Sequence, residues 1–164
     1  MAWAAGLAIA LLGPAVQAAA APGGGVSADE VASVLRDKGY QAVVAKDGAG
    51  DPMIRSGAEG VSFEIFFYGC ERGPRCASVE FSAAYHIDGG LKLTDVNAWN
   101  VKNRFGRTYL DGENDPHMEM DLDLAHGAAA ETIGAGLDTW DMVLASFQHM
   151  VRCSGAQGAT GCEA

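Results

Sequence analysis

The densest chemistry in the sequence is the run DGENDPHMEMDLD, in which Asp111, Glu113, Asp115, Glu119, Asp121 and Asp123 fall inside 13 residues. Carboxylates crowded in this way are what a Ca²⁺ site uses, and Asp111, Glu113 and Asp115 copy the first, third and fifth positions of an EF-hand loop. The copy then fails, because Pro116 stands where the loop needs Gly and Leu122 where it needs a bidentate Glu. From Glu119 onward the acids alternate with Met and Leu, as on the solvated side of a strand. No metal ligand is assigned on this basis. Binding of a small ligand or divalent cation by the acidic strand face stands as the alternative reading of the chain.

Four histidines, His86, His117, His126 and His149, are the other candidates for ligand or general base, but none forms an i, i+4 pair or an H-E-x-x-H pattern. A role for them requires two imidazoles to converge with a carboxylate. The cysteines are Cys70, Cys76, Cys153 and Cys162. Their C-x₅-C and C-x₈-C spacings match neither the C-x₂₋₄-C of zinc sites nor the C-x-x-C of thioredoxin-like redox sites. No nucleophile elbow, P-loop or dinucleotide fingerprint is present. The sequence therefore assigns no catalytic residue and no cofactor, and an enzyme of unknown class ranks third among the readings.

The role of the cysteines depends on compartment. Ala2 to Leu12 is apolar, Pro14 interrupts it, and small residues follow at Val16, Ala18, Ala20 and Ala21. That is the layout of a secretory signal with an A-x-A-like cleavage site, so residues 1–21 are expected to be removed and the remainder to be periplasmic or secreted. No stable membrane insertion is expected after cleavage. In an oxidising compartment four cysteines read as two disulfides. Three connectivities are open, of which Cys70–Cys76 with Cys153–Cys162 is the simplest. Closing the short Cys70–Cys76 loop is worth about 2–3 kcal/mol on the chain-entropy argument. The net charge of −10 lies wholly beyond the signal and repels phosphate backbones and anionic lipid, which excludes nucleic acid as a partner.

These residues need elements to position them. Residues 22–26 read as a flexible leader, 27–152 as one domain, and 153–164 as a Gly-rich tail that bears cysteines. Ser27 and Glu30 have capping-box spacing, and Val31, Val34 and Leu35 continue a helical stripe to Gly39. Tyr40–Ala45 reads as a strand, and MIRS beyond it as a short extended piece. From Val61 the period is two: Val61, Phe63, Ile65 and Phe67 point one way, Glu64, Phe66 and Tyr68 the other. The return strand from Cys76 turns Val79, Phe81, Ala83 and Tyr85 inward and Glu80, Ser82 and His86 outward. Thr94 is placed as the cap of a second helix carrying Val96 and Trp99. Arg107–Asp111 and the strand from His117 to Leu124 form a further hairpin, with Met118, Met120, Leu122 and Leu124 inward. Ile133, Leu137, Trp140, Leu144, Phe147 and Val151 then mark a long helix, its firm part placed near Leu137 because Gly134 and Gly136 weaken the first turns. The order α-β-β-β-α-β-β-α predicts an α+β fold, an antiparallel sheet with helices packed on one face.

FYGCERGPRCASVEF, NAWNVKNRFGRTYLD and MEMDLDL, in this order and spacing from about Ser27 to Phe147, resemble the YbjN-domain family, which is assigned to bacterial sensory-transduction regulation without an agreed biochemical activity. The resemblance implies a fold like that of type III secretion chaperones, small α+β proteins that pair as homodimers and hold partner polypeptides. It carries over no catalytic residue. Many members are cytoplasmic, and a signal-like N-terminus departs from them. Within this frame Phe66 and Tyr68, aromatics on an otherwise polar face, are the candidate partner-binding residues, together with Glu64, Glu119 and Asp121. Trp99 and Trp140 are expected in the core. Asn97, Asn100 and Asn103, unusual in a helix interior, are expected either to cap neighbouring backbone or to meet a partner. The leading reading is a non-catalytic, protein-binding or regulatory module.

Overall fold

The computed structural model describes residues 24–58, 60–70, 73–126 and 129–155. The segment expected to be a signal, residues 1–21, together with Cys162 and nearly all of the tail, lies outside them. In chain order the elements are β1 (Val26–Ser27), α1 (Ala28–Asp37), β2 (Val43–Lys46), β3 (Pro52–Ala58), β4 (Val61–Tyr68), β5 (Arg75–Cys76), β6 (Ser78–Ala84), α2 (Leu93–Lys102), β7 (Arg107–Leu110), β8 (Pro116–Asp123) and α3 (Ala130–Gly155). Six strands form one antiparallel sheet in the order β2-β3-β4-β6-β8-β7, while β1 and β5 make a separate two-stranded ladder. The architecture is α+β, as the pattern of periods predicts.

The long helix α3 is what closes the core. Its stripe of Ile133, Leu137, Trp140, Leu144, Phe147 and Val151 is buried throughout. Trp140 is stacked on Phe81 of β6 with ring centroids 5.4 Å apart, and lies 5.5 Å from Phe63 of β4. Burying two or three such rings together removes several hundred Å² of apolar surface from water and is worth several kcal/mol. The helix expected after Gly127, with its firm part near Leu137, is continuous from Ala130. The glycines that lower its intrinsic propensity are there for contact: a Cβ on Gly136 would stand 2.7 Å from Leu122 Cδ2, and one on Gly134 3.0 Å from Lys38 Cε. Close approach to β8 and to the end of α1 outweighs propensity.

Other boundaries moved for identifiable reasons. The Ser27–Glu30 capping box forms as predicted, with Glu30 N–H donating to Ser27 Oγ at 3.3 Å and Ser27 N–H to Glu30 Oε2 at 2.7 Å. The strand expected over Tyr40–Ala45 is β2 and starts at Val43, because the Tyr40 backbone still bonds Leu35 O and its hydroxyl donates to Asp141 of α3. The MIRS piece is a full strand of the sheet, β3, paired on both sides. Its inward residues Ile54, Ser56 and Ala58 are too mixed to advertise it, and Ser56 is buried by donating to Gln41 O at 2.7 Å. Helix α2 is not capped by Thr94; it begins at Leu93 after Lys92, which makes no side-chain cap bond.

Cys70 and Cys76 are joined in a disulfide across the β4–β5 turn. Cys76 is fully buried and pairs with Val26 of β1. Next to it Arg75 donates to Glu30 Oε1 at 2.9 Å and to Gly25 O at 2.6 Å, so the bridge also fastens the start of α1. Cys153 is likewise disulfide-bonded.

The loop after β6 and the turn between β7 and β8 are tied by Tyr85 N–H to Pro116 O at 3.1 Å and Leu91 N–H to Asn114 O at 3.0 Å. Gly90 makes that contact possible: its φ is +67°, and a Cβ there would lie 2.5 Å from Asn114 Cβ and 3.0 Å from Asn114 O. Gly90→Ala is expected to destabilise the fold by about 1–3 kcal/mol. Thermal melts followed by circular dichroism test this, and an unchanged midpoint would mean that the two loops do not need this approach.

Candidate functional site

All three helices pack on one side of the sheet, and among the described residues no helix covers the other. Period-two alternation sends Glu64, Phe66 and Tyr68 of β4, Glu80 and Ser82 of β6, and Glu119, Asp121 and Asp123 of β8 to that outer side. The register aligns them into rows. Phe66 stands opposite Glu80, which stands opposite Asp121; Glu64 faces Ser82, Ser82 faces Glu119, and Glu119 faces Arg107 of β7. All five predicted partner-binding residues, Phe66, Tyr68, Glu64, Glu119 and Asp121, therefore share one face. Met53, opposite Phe66, is only 3% exposed although it lies outside the main core cluster. Phe66 is half-buried and Tyr68 is 48% exposed.

Three further residues organise the face. Arg107 donates through Nε to Glu119 Oε2 at 2.9 Å and through Nη2 to Glu80 Oε2 at 3.2 Å. Tyr109 donates to Glu119 Oε1 at 2.6 Å, and Tyr68 to Glu80 Oε1 at 3.2 Å. Arg55 reaches Glu64 at 3.4 Å. Glu80 was legible only as one outward residue of a strand. Arg107 and Tyr109 carry no local signal at all, since their contact with β6 and β8 depends on strand order.

The electrostatics follow from this geometry. Burial, then the charges of Glu119 and Asp121, push the Glu80 carboxyl above the ordinary Glu range. Burial also opposes ionisation of Glu119, but the hydrogen bonds from Tyr109 and Arg107 outweigh it and hold Glu119 low. Burial followed by the bond to Glu119 takes the Tyr109 hydroxyl up to about 12. Arg107 is a single guanidinium shared by two carboxylates, and among the described residues Asp121 and Asp123 form no ion pair. The face is thus acidic, with Phe66 and Tyr68 as its aromatic members.

The histidines are dispersed. His86 Nδ1 lies 2.7 Å from Asp115 Oδ2, whereas His117 Nε2 lies 3.3 Å from Asp111 Oδ2 and its ring stacks on Tyr109 at 5.0 Å. The two imidazoles thus use different carboxylates. His126 is exposed in the turn after β8, and His149 Nε2 is 3.7 Å from Cys153 Sγ. Asn100 exchanges two bonds with the Thr108 backbone, at 2.9 and 3.0 Å. Asn103 donates to Trp99 O and accepts from Ser146. Both cap neighbouring groups; Asn97 is exposed.

The family model of YbjN, described as "putative bacterial sensory transduction regulator", matches residues 27–152. A solved structure, the crystal structure of "YbjN, a putative transcription regulator from E. coli", is similar at 14% identity and a TM-score of 0.44, over 77% of this chain and 87% of that chain. Comparison with curated proteins gives no match.

A raised carboxyl penalises the ionised form in the fold, so Glu80 lowers stability above the unfolded Glu pKa of about 4.3 and has no such effect below it. Glu80→Gln is accordingly expected to raise the melting temperature at pH 7, with the difference vanishing near pH 4. Melts across that range check it. A lower midpoint at pH 7 would mean that the ionised contacts to Arg107 and Tyr68 outweigh the burial.

Proposed function

The chain belongs to the YbjN family, and we propose that it is a non-catalytic, periplasmic or secreted module that engages another polypeptide through the outer face of its sheet. The observation that carries this reading is the gathering of the half-buried Phe66 and the exposed Tyr68 beside Glu64, Glu80, Glu119 and Asp121 on a side that no described helix covers. Exposed aromatics beside charged residues are the composition of recognition surfaces. The negative rows select a partner segment that is neutral or basic at this contact and speed its encounter. The family description as a regulator is compatible with binding that makes and breaks no covalent bond.

Export is supported by the signal-like run from Ala2 to Leu12 and by the Cys70–Cys76 bridge, which belongs to oxidising compartments. Pairing of two copies is part of the same reading. Strand β2 is at the edge of the sheet, and its Val43 and Val44 are exposed where a second strand can add.

The test uses the exported protein as bait in periplasmic extract. The double substitution Phe66→Asp with Tyr68→Asp is expected to weaken retention of the captured polypeptide at least tenfold, the size of a lost hot spot of about 1.4 kcal/mol or more. Leu93→Asp with Val101→Asp, on the exposed side of α2, is the control and should retain it. Equal retention by the sheet-face double variant removes this face from the interaction.

A further inference from the structure

The two loops tied together at one end of the sheet bring a mixed set of donor atoms to one point. We propose that His86, Glu113 and Asp115 form a binding site for a divalent transition-metal ion of the zinc type. Each offers one ligand atom, and these atoms lie within 4.8 Å of one another. His86 comes from the loop after β6, Glu113 and Asp115 from the β7–β8 turn, so the site depends on the fold and not on a local sequence pattern.

Asp115 is the fixed member. It is 8% exposed, and its Oδ1 accepts the Ile87 N–H at 2.9 Å, which orients the carboxylate toward the imidazole. Outer-sphere bonds of this kind are what hold a ligating carboxylate in place. His86 and Glu113 are exposed, and His86 Nδ1 is hydrogen-bonded to Asp115 Oδ2 at 2.7 Å, a contact that a bound ion replaces. A tetrahedral ion with bonds of about 2.0–2.1 Å needs donors roughly 3.3 Å apart, which movements of about an ångström by these two side chains supply. Asp88 Oδ1, 3.7 Å from His86 Nε2, lies at the other ring nitrogen from Asp115 and steadies the imidazole.

The charge balance points to a cation. Asp88, Asp111, Glu113 and Asp115 gather here, and the ion pairs they form are with His86 and His117 alone; among the described residues no Lys or Arg pairs with any of them. The donor set selects among cations. Calcium and magnesium use oxygen ligands, whereas an imidazole with two carboxylates suits zinc and its neighbours. Asp111, which looks like the first ligand of an EF-hand, is not among the converging groups: its Oδ1 accepts the N–H groups of Glu113 and Asp115 at 2.8 and 2.9 Å, and its Oδ2 faces His117 at 3.3 Å. The site is separate from the aromatic patch and does not rest on the polypeptide-binding reading.

Isothermal titration of the exported chain with zinc chloride tests this. Saturable one-to-one binding is expected, weakened at least tenfold by His86→Ala and, independently, by Glu113→Gln, with His126→Ala unchanged. Both substituted side chains are exposed, and a melt of each variant confirms that the fold is intact. Absence of saturable heat in the wild type, or wild-type affinity in either the His86→Ala or the Glu113→Gln protein, overturns the proposal.

Discussion

The seating of Trp140 on Phe63 and Phe81 is the constraint on which the rest of the molecule depends. A sheet of this size needs one covered face, and a single helix crossing its two central strands provides most of that cover. Gly134 and Gly136 let the same helix press against Lys38 and Leu122, so its first turns also lock α1 and β8. Once one face is sealed in this way, the helices are used up, and among the described residues no helix covers the opposite face. The division of labour between the two sides is a consequence of packing.

On that opposite face the strand order decides the chemistry. Placing β8 between β6 and β7 sets Glu80, Asp121 and Glu119 side by side and gives Glu80 and Glu119 Arg107 as their shared counter-ion. One guanidinium orders the carboxylates without neutralising them, and Tyr68 and Tyr109 add hydroxyl donors. The surface is therefore cross-linked by hydrogen bonds and still negative.

How much of this was legible follows from where the information sits. Strands with strict alternation, such as Val61–Tyr68 and Met118–Leu124, and the helix stripe from Ile133 to Val151 declare both their type and their buried side. The Ser27–Glu30 box declares a helix start, because capping is local chemistry. The outward placement of Phe66 and Tyr68 followed from the same alternation. By contrast β3 has Ser56 and Gly57 where apolar residues would mark it, and only pairing with β2 and β4 makes it a strand. Arg107, Tyr109 and the meeting of His86 with Asp115 depend on which segments become neighbours, and no spacing in the chain encodes that directly. The glycines of α3 were misleading for the same reason: propensity is intrinsic, and the contact that overrides it is distant in sequence.

The Asn100 amide has a consequence at the scale of assemblies. By taking both the N–H and the C=O of Thr108, it occupies the outward backbone groups at the middle of β7. Of the two rims of the sheet, only the one at β2 is left able to accept another strand. Two subunits joined rim to rim would each present a closed side outward, so growth stops at a pair and an endless fibre has no place to extend.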